Sequence, residues 1–448
     1  MIKWDLDWRE PLDAFAPLAG VAGAHLFHGG ALSRTAEWSI IAAFPAATLV
    51  AEKAGPDPFP ALDDARRDRH APRDDALKGL PFVSGALGFI GYEAAQYLEA
   101  ALDLLPSPFA LPDMSLGLYD AAALFSRSRR QALVVGRNKA ACRRLRDALG
   151  REGMQHQQVP EFGPVASNFT QQRYLAAVAE ARENILNGEY YQANLSHQLT
   201  CEALAPFQPF DLFARLSAQS DAFHGALLQF DNGAILSNSP ERFFRIEPAA
   251  TGDRIIAEPI KGTRRRGAGA IDDAALAREL LADPKDRAEN IMIADLLRND
   301  LSKICCDGSI REEAICALMS LANVHHLVSR ISGVLRRGVR PAEIFAALFP
   351  CGSITGAPKI AAMEAIARIE NVGRGPYCGA IGYFDDRGGA DFAVSIRTLM
   401  IEDRKVTIPV GGGVTLRSNP ADEYEETIIK ARGALMALGD PQFTGGRP

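Results

Sequence analysis

At 448 residues, 47% of them apolar and 23% charged, the chain has the composition of a folded globular protein, long enough for one very large domain or two to three ordinary ones. Its net charge of -6 offers no basic field to hold a polyanion, and the basic run Arg264-Arg265-Arg266 is isolated, so nucleic acid is not an expected partner. The start Met1-Ile2-Lys3-Trp4-Asp5-Leu6-Asp7 lacks the basic and apolar regions of a secretory leader, and no apolar run approaches membrane-spanning length, which predicts a cytoplasmic protein with no membrane partner.

Strand-like runs come first: Trp38 to Val50, Phe82 to Tyr92, Leu118 to Phe125 and Ala132 to Val135 make the N-terminal third sheet-rich. Between the first two, residues 51–79 are rich in Pro, Asp and Arg with little apolar periodicity, and predict a solvated loop or insertion. The polar stretch Gln155 to Asn168, with Pro160, Gly163 and Pro164, is the best linker candidate and divides an N-terminal region, 1–165, from a second, 166–440. Thr170 then caps a helix carrying Tyr174, Val178, Ala181 and Ile185 that ends at Gly188. Strands are predicted over Tyr190 to Leu199, Ala226 to Phe230, Ala234 to Leu236 and Arg254 to Ile256. Neither a repeat nor an alternating βαβ pattern is present, which favours an α+β fold with large antiparallel sheets over a doubly wound one.

Lys261 follows in Pro259-Ile260-Lys261-Gly262-Thr263, ahead of a basic Gly-rich turn. Its small and apolar surroundings could strip its solvation, and a neutral amine is a nucleophile. Asp283-Pro284 opens a helix in which Asp286 and Glu289 stand three apart on one face, with Ile293 and Leu297 on the apolar stripe. Ser418-Asn419-Pro420 opens another, with Glu423 and Glu426 in the same spacing and Tyr424, Ile428, Ala431 and Leu435 buried. Each pair alone is explained by the helix macrodipole, but two such faces suit a hard ion such as Mg2+, which takes oxygen ligands. Seven cysteines, an odd number scattered apart from Cys305-Cys306, fit neither a disulfide ladder nor a CxxC knuckle.

Gly352 to Lys359 is not a phosphate loop, because Lys359 does not directly follow a Gly and no Ser or Thr follows it; its hydroxyls, Ser353 and Thr355, could face a ligand. Gly411-Gly412-Gly413 could hold a carboxylate with backbone N-H groups, or form a bulge or plain turn. Arg397, in a predicted strand Phe392 to Leu399, could grip a carboxylate with Tyr377 beside it; a surface salt bridge and a core tyrosine are the alternatives. His326, beside His325 in an apolar stretch, reads first as a satisfied buried histidine rather than a catalyst. Glu241, in Ser239-Pro240-Glu241-Arg242-Phe243, could act as a general acid if burial raises its pKa, or simply pair with Arg242 or Arg245.

Together these segments resemble the chorismate-utilising enzymes: Tyr191 to Ser196, Ser239 to Phe243, Pro259 to Gly267, Arg287 to Asn290 running into Asp295 to Leu301, His326 to Ser329, Gly352 to Lys359 and Glu423 to Thr427, in family order. The likeness is dense over 170–435 and weaker at Gly85 to Tyr92. It implies the family's fold, large antiparallel sheets packed as a sandwich with helices outside, the two regions intertwined in one globule. Lys261 resembles the branch that makes 4-amino-4-deoxychorismate, since anthranilate-making relatives typically carry alanine there. Gln192 agrees, because relatives that add water to chorismate place a lysine at that position.

The resemblance implies chorismate and ammonia as substrates, Mg2+ held by Glu289 and Glu426 with Asp286 and Glu423 through water, and a ring carboxylate on Gly411, Gly412 and Gly413. Glu241 is the implied acid for the C4 hydroxyl and Lys261 the nucleophile at C2. Arg397, Tyr377 and Thr263 are implied for the enolpyruvyl carboxylate, and His326 and Thr355 for the C4 side. Pro376-Tyr377-Cys378-Gly379-Ala380 breaks the glutaminase elbow pattern, and the resemblance implies a separate glutamine amidotransferase subunit, in a heterodimer, as the source of ammonia. Arg265 departs from the family's usual proline and Val414 to Arg417 from a usual aspartate-containing stretch, and no leucine-rich serine motif for tryptophan is evident. Two rivals stand: an anthranilate-forming synthase, and a non-catalytic subunit that docks a glutaminase.

Overall fold

Successive side chains of a strand face opposite ways, and the strand His224–Phe230 shows the consequence. Ala226 and Leu228 pack with Phe89 and Ile381 in one buried cluster, while Leu227 joins Phe213 and Leu216 from the helix Pro209–Gln219 in another. Both faces of the sheet are therefore covered. The computed structural model describes residues 1–29, 37–153, 158–219, 222–321 and 324–441, and over them a 12-stranded and a 10-stranded antiparallel sheet pack as a sandwich with helices outside. The outer face of the smaller sheet is closed by the helix Pro341–Leu348, whose Phe345 ring lies 5.4 Å from Phe392 and 5.7 Å from Phe244. The α+β class and the sandwich expected from the sequence hold.

Early and late strands share both sheets. Gly85–Ile90 pairs with Ala380–Asp385 in the smaller, and His25–His28 pairs with His224–Phe230 in the larger. Three predicted strands are each two strands broken at a corner where the chain changes sheet: Trp38–Ala42 and Ala47–Ala51, Met114–Tyr119 and Ala121–Ser126, and Ala390–Val394 and Thr398–Glu402. Except for the largely exposed Ala47–Ala51 the halves are buried, so the apolar runs carry on across the corners, which single residues such as Pro45 and Asp120 mark too weakly to separate two strands. Gly233–Ser239 and Arg242–Glu247 meet at a further corner, which carries Glu241; Arg397 lies at the Ala390/Thr398 corner with a φ of 50°.

Two expectations fail. Residues 51–79 are not a solvated loop: they hold the helix Phe59–Arg69, anchored by Phe59 on Phe345 and by Arg66 donating to the carbonyls of Asp385 and Gly388. The proposed linker is packed rather than free, with Phe162 and Val165 buried and Ala166–Ser167 paired to Leu199 and Thr200; its residues 155–157 lie outside the described residues.

Candidate active site

Lys261 sits in the strand Ile260–Arg265, paired with Val324–Val334, and not before a turn as the sequence predicts. The register slips between Lys261 and Thr263, where Gly262 has a φ of 78° that favours glycine. A Cβ on Gly262 would stand 3.0 Å from Asp286 Cγ, so glycine also lets this strand approach the first acidic helix. The lysine reaches across to the strand Lys405–Val414. A Cβ on Gly413 would lie 3.4 Å from Lys261 Nζ and 2.7 Å from Gln192 Nε2, which puts amine, amide and glycine side by side. Gln192 is fully buried, and neither of its side-chain polar atoms has a hydrogen-bond partner.

Gly411 to Gly413 belong to that strand and face Ser196, Leu195 and Asn194. Ser196 and Asn194 send their N-H groups elsewhere, to Glu370 Oε1 at 2.7 Å and Thr355 O at 2.7 Å. In an antiparallel ladder a residue's N-H and C=O point the same way, so Gly411 and Gly413 turn theirs toward the opposite edge. The neighbouring strand Thr398–Glu402 pairs only as far as Thr407, and the edge there is open. Lys430 Nζ donates to Gly411 O at 2.9 Å. The glycines are neither a plain turn nor a bulge, yet two of their N-H groups remain available to an anion.

The two acidic helices are Pro284–Ser302, capped by Asp283, and Pro420–Ala437, capped by Asn419. They meet: Lys285 Nζ stands 4.0 Å from Glu289 Oε1 and 3.9 Å from Glu423 Oε1. Arg264 holds Asp286 at 3.0 Å and Asp283 at 2.8 Å, and Lys430 holds Glu426 at 2.7 Å. Among the described residues no three His, Cys, Asp or Glu side chains converge as a ready metal cluster; each carboxylate leans on a cation instead. The donor set nonetheless fits a hard divalent ion. Glu289 Oε1 is buried with no hydrogen-bond partner, and Glu423 Oε2 and Glu426 Oε1 both face Gly412, 3.2 and 3.8 Å from its Cβ position. Burial raises the pKa values of Glu289, Glu423 and Asp286, so their charged forms gain from a cation. Burial pushes Glu426 up as well, but Lys430, with Lys261 and Lys285, holds it below the usual range.

Glu241 is buried, and its carboxyl is pushed up to about 7 by desolvation, opposed by a 2.7 Å hydrogen bond from Ser353 Oγ to Oε1, by the nearby Lys261 and by the Ile260 N-H. A carboxylic acid protonated near neutral pH is what a general acid needs. His326 is buried too, its Nδ1 2.8 Å from Thr263 Oγ1 and its Nε2 unpartnered; burial, then the Arg397 charge, lowers it to about 4, so it works as a neutral imidazole. Arg397 is exposed and makes no ion pair among the described residues. Tyr377 is buried, with burial raising its phenol well above the ordinary value, and Cys378 N donating to Ser395 O at 2.8 Å ties its segment to the Arg397 corner. Thr355 is fully buried, and its hydroxyl donates to Cys351 O at 3.0 Å, closing its own turn.

Sequence reasoning missed Lys430 and Lys285 and left Ser353 as a ligand-facing hydroxyl. Lys430 was detectable, four residues after Glu426 on one helix face. Ser353 was not, because its partner lies 112 positions away. A cavity of about 750 Å3, bordered by Phe27, Trp38, His224, Arg242 and Tyr383, holds none of the candidate residues, so size does not identify the chemistry here.

Residues 31–436 match the family model described as chorismate binding enzyme. The chain is 32% identical over 450 residues to aminodeoxychorismate synthase component 1 of Escherichia coli (strain K12), covering 96% of this chain and 97% of that one. It is 33% identical over 368 residues to anthranilate synthase component 1 of Lactococcus lactis, covering 80% and 79%. Among solved structures, anthranilate synthase component I from Streptococcus pneumoniae superposes with a TM-score of 0.78 at 27% identity, covering 90% of this chain and 93% of that one.

Proposed function

The chain belongs to the family of chorismate binding enzymes, and from that premise we propose that it converts chorismate and ammonia to 4-amino-4-deoxychorismate, a step toward 4-aminobenzoate and folate. The observation that carries the choice of product is Lys261, whose amine lies beside Gly413 and Gln192 where the glycine strand meets the acidic helices. An anthranilate-forming enzyme has no use for a nucleophile there.

Glu241, protonated near neutral pH, gives its proton to the C4 hydroxyl, which departs as water while the Lys261 amine bonds to C2 through its lone pair and the ring double bonds shift. Ammonia then bonds to C4, the double bonds shift back and the lysine leaves. Arg397 and Tyr377 hold the enolpyruvyl carboxylate, with Thr263 and His326 beside them; the Gly411 and Gly413 N-H groups hold the ring carboxylate. Gln192, an amide that cannot activate water, guards against hydration. Glu289, Glu426, Asp286 and Glu423 would hold Mg2+, which when bound neutralises and orients an anionic substrate.

The relatives' names, each a component 1, support a chain that works with a further component. We take that partner to be a glutamine amidotransferase subunit supplying ammonia in a heterodimer, in the cytoplasm. The similarity to anthranilate synthase component 1 supports the main rival. Incubating the purified chain with chorismate, Mg2+ and an ammonium salt from neutral to alkaline pH separates them: 4-amino-4-deoxychorismate, identified by mass and by conversion with its lyase, is expected. Fluorescent anthranilate, isochorismate or no product overturns the proposal.

A further inference from the structure

We infer that Ser353 is the positioning residue that aims the acid: by donating to Oε1 of Glu241 it keeps that oxygen an acceptor and leaves Oε2 to carry the proton to substrate. The inference rests on Glu241 as the acid of the proposed reaction. Both residues are buried, and Ser353 Oγ lies 2.7 Å from Oε1. A serine hydroxyl has a single proton to give, and here it goes to the carboxyl rather than to a ligand.

The two backbones are already fixed, which makes this contact decisive for the carboxyl's direction. Glu241 O accepts from Val394 N at 3.0 Å and Glu241 N donates to Ser239 Oγ at 3.3 Å, so the sheet-changing corner cannot slide. On the other side, Thr355 Oγ1 donates to Cys351 O at 3.0 Å, and Arg374 Nη1 donates to Ile354 O at 3.2 Å. Arg374 itself is buried on Glu370, with Nη2 2.6 Å from Oε1 and Nε 3.0 Å from Oε2. What remains free is rotation of the Glu241 side chain, which Ser353 at Oε1 and the Ile260 N-H together remove. Lys261 faces this carboxyl from its strand, Lys430 from the helix Pro420–Ala437 and the Cys351 thiol from the turn. None of these replaces a neutral donor at Oε1.

A bond donated to a carboxylate favours the charged form. Ser353→Ala therefore raises the Glu241 pKa as well as loosening its aim. Two readouts follow. In kcat/KM against pH for chorismate and ammonium, Ser353→Ala is expected to lose about tenfold or more at its optimum, while the basic limb, where the acid deprotonates, moves to higher pH. The carboxyl signal of Glu241 in the substrate-free protein, assigned by its loss in Glu241→Gln and followed by carbon-13 NMR, is expected to move the same way. Ser353→Thr should restore both, and Ser353→Cys, a weaker donor of similar size, should fall between. A limb and a carboxyl titration unchanged in Ser353→Ala and Ser353→Cys overturn the inference, since a merely structural serine would lower the rate without moving either. If the wild type makes no 4-amino-4-deoxychorismate, the proposed function fails while the carboxyl titration still decides the role of Ser353.

Discussion

One missing methyl group leaves Lys261 its place. Because a Cβ on Gly413 would come 2.7 Å from Gln192 Nε2 and 3.4 Å from Lys261 Nζ, Gly413→Ala must displace the amide, the amine or both. The strand itself tolerates alanine, so the variant should fold with an unchanged circular dichroism spectrum and lose about a hundredfold or more in the proposed aminodeoxychorismate formation, as is expected of Lys261→Ala too. Activity within a few-fold of wild type would show that the lysine does not act from this position. Glu241 carries the opposite balance of stability and function. Folding holds its carboxyl at about 7 against an ordinary 4.5, so the folded chain binds the extra proton between those values, and the group's contribution to stability is full below 4.5 and lost as pH rises through 7. Glu241→Gln should therefore gain on wild type as pH climbs from 5 to 8, by about 2.5 kcal/mol, while losing turnover. Thermal unfolding of both proteins across that range checks the sign; a gap that narrows with pH contradicts it.

At the scale of elements, capped helices were legible because their signals are local. Asp283-Pro284, Thr170 and Asn419-Pro420 start helices where the sequence places them, and their side chains accept from the first-turn N-H groups. The helix Phe59–Arg69 was hidden for the converse reason. Phe59 and Leu62 are its buried apolar anchors, and Arg66 and Arg69 dock it through the Asp385 carbonyl and the Asp386 carboxylate, contacts that only the fold supplies. The site shows the same division. Residue types and spacing singled out both carboxylate pairs, Lys261 and Glu241 as candidates, whereas the pairings Lys285 with Glu423 and Ser353 with Glu241 join distant segments and leave no periodic trace. Lys359 is a third such pairing. It heads the helix Lys359–Glu370 with Nζ 3.1 Å from the buried Asp300 and 2.9 Å from Leu348 O, tying that helix to the one that bears Glu289. Lys359→Met leaves Asp300 with only the half-exposed Lys303 and should cost about 3–5 kcal/mol in urea unfolding. Adding Asp300→Leu should recover most of it. No recovery would mean that the lysine stabilises through its stem and not through the ion pair.

For the whole molecule, the site depends on sheets to which both ends of the chain contribute. The strand Ala380–Asp385, beside the one that leads to Arg397, has Gly85–Ile90 along its other edge in continuous register from Ala380↔Ile90 to Asp385↔Gly85. In the larger sheet, His224–Phe230 is flanked by His25–His28 on one side and on the other by Gly233–Ser239, which runs to Glu241. Cutting near residue 165 would leave both of these later strands with unpaired edges and strip Phe89 from the cluster that holds Leu228, Ile235 and Met400 between the sheets. Exposed edges and a half-covered sheet face are aggregation surfaces, not a smaller fold. The full chain is therefore expected to unfold in one cooperative transition, with residues 1–165 and 166–440 insoluble or unfolded when made alone and recovering structure only when refolded together. A soluble 166–440 fragment with native-like dispersion in its NMR spectrum would show instead that the candidate site is built by the later residues alone, and that the early strands are an addition to it.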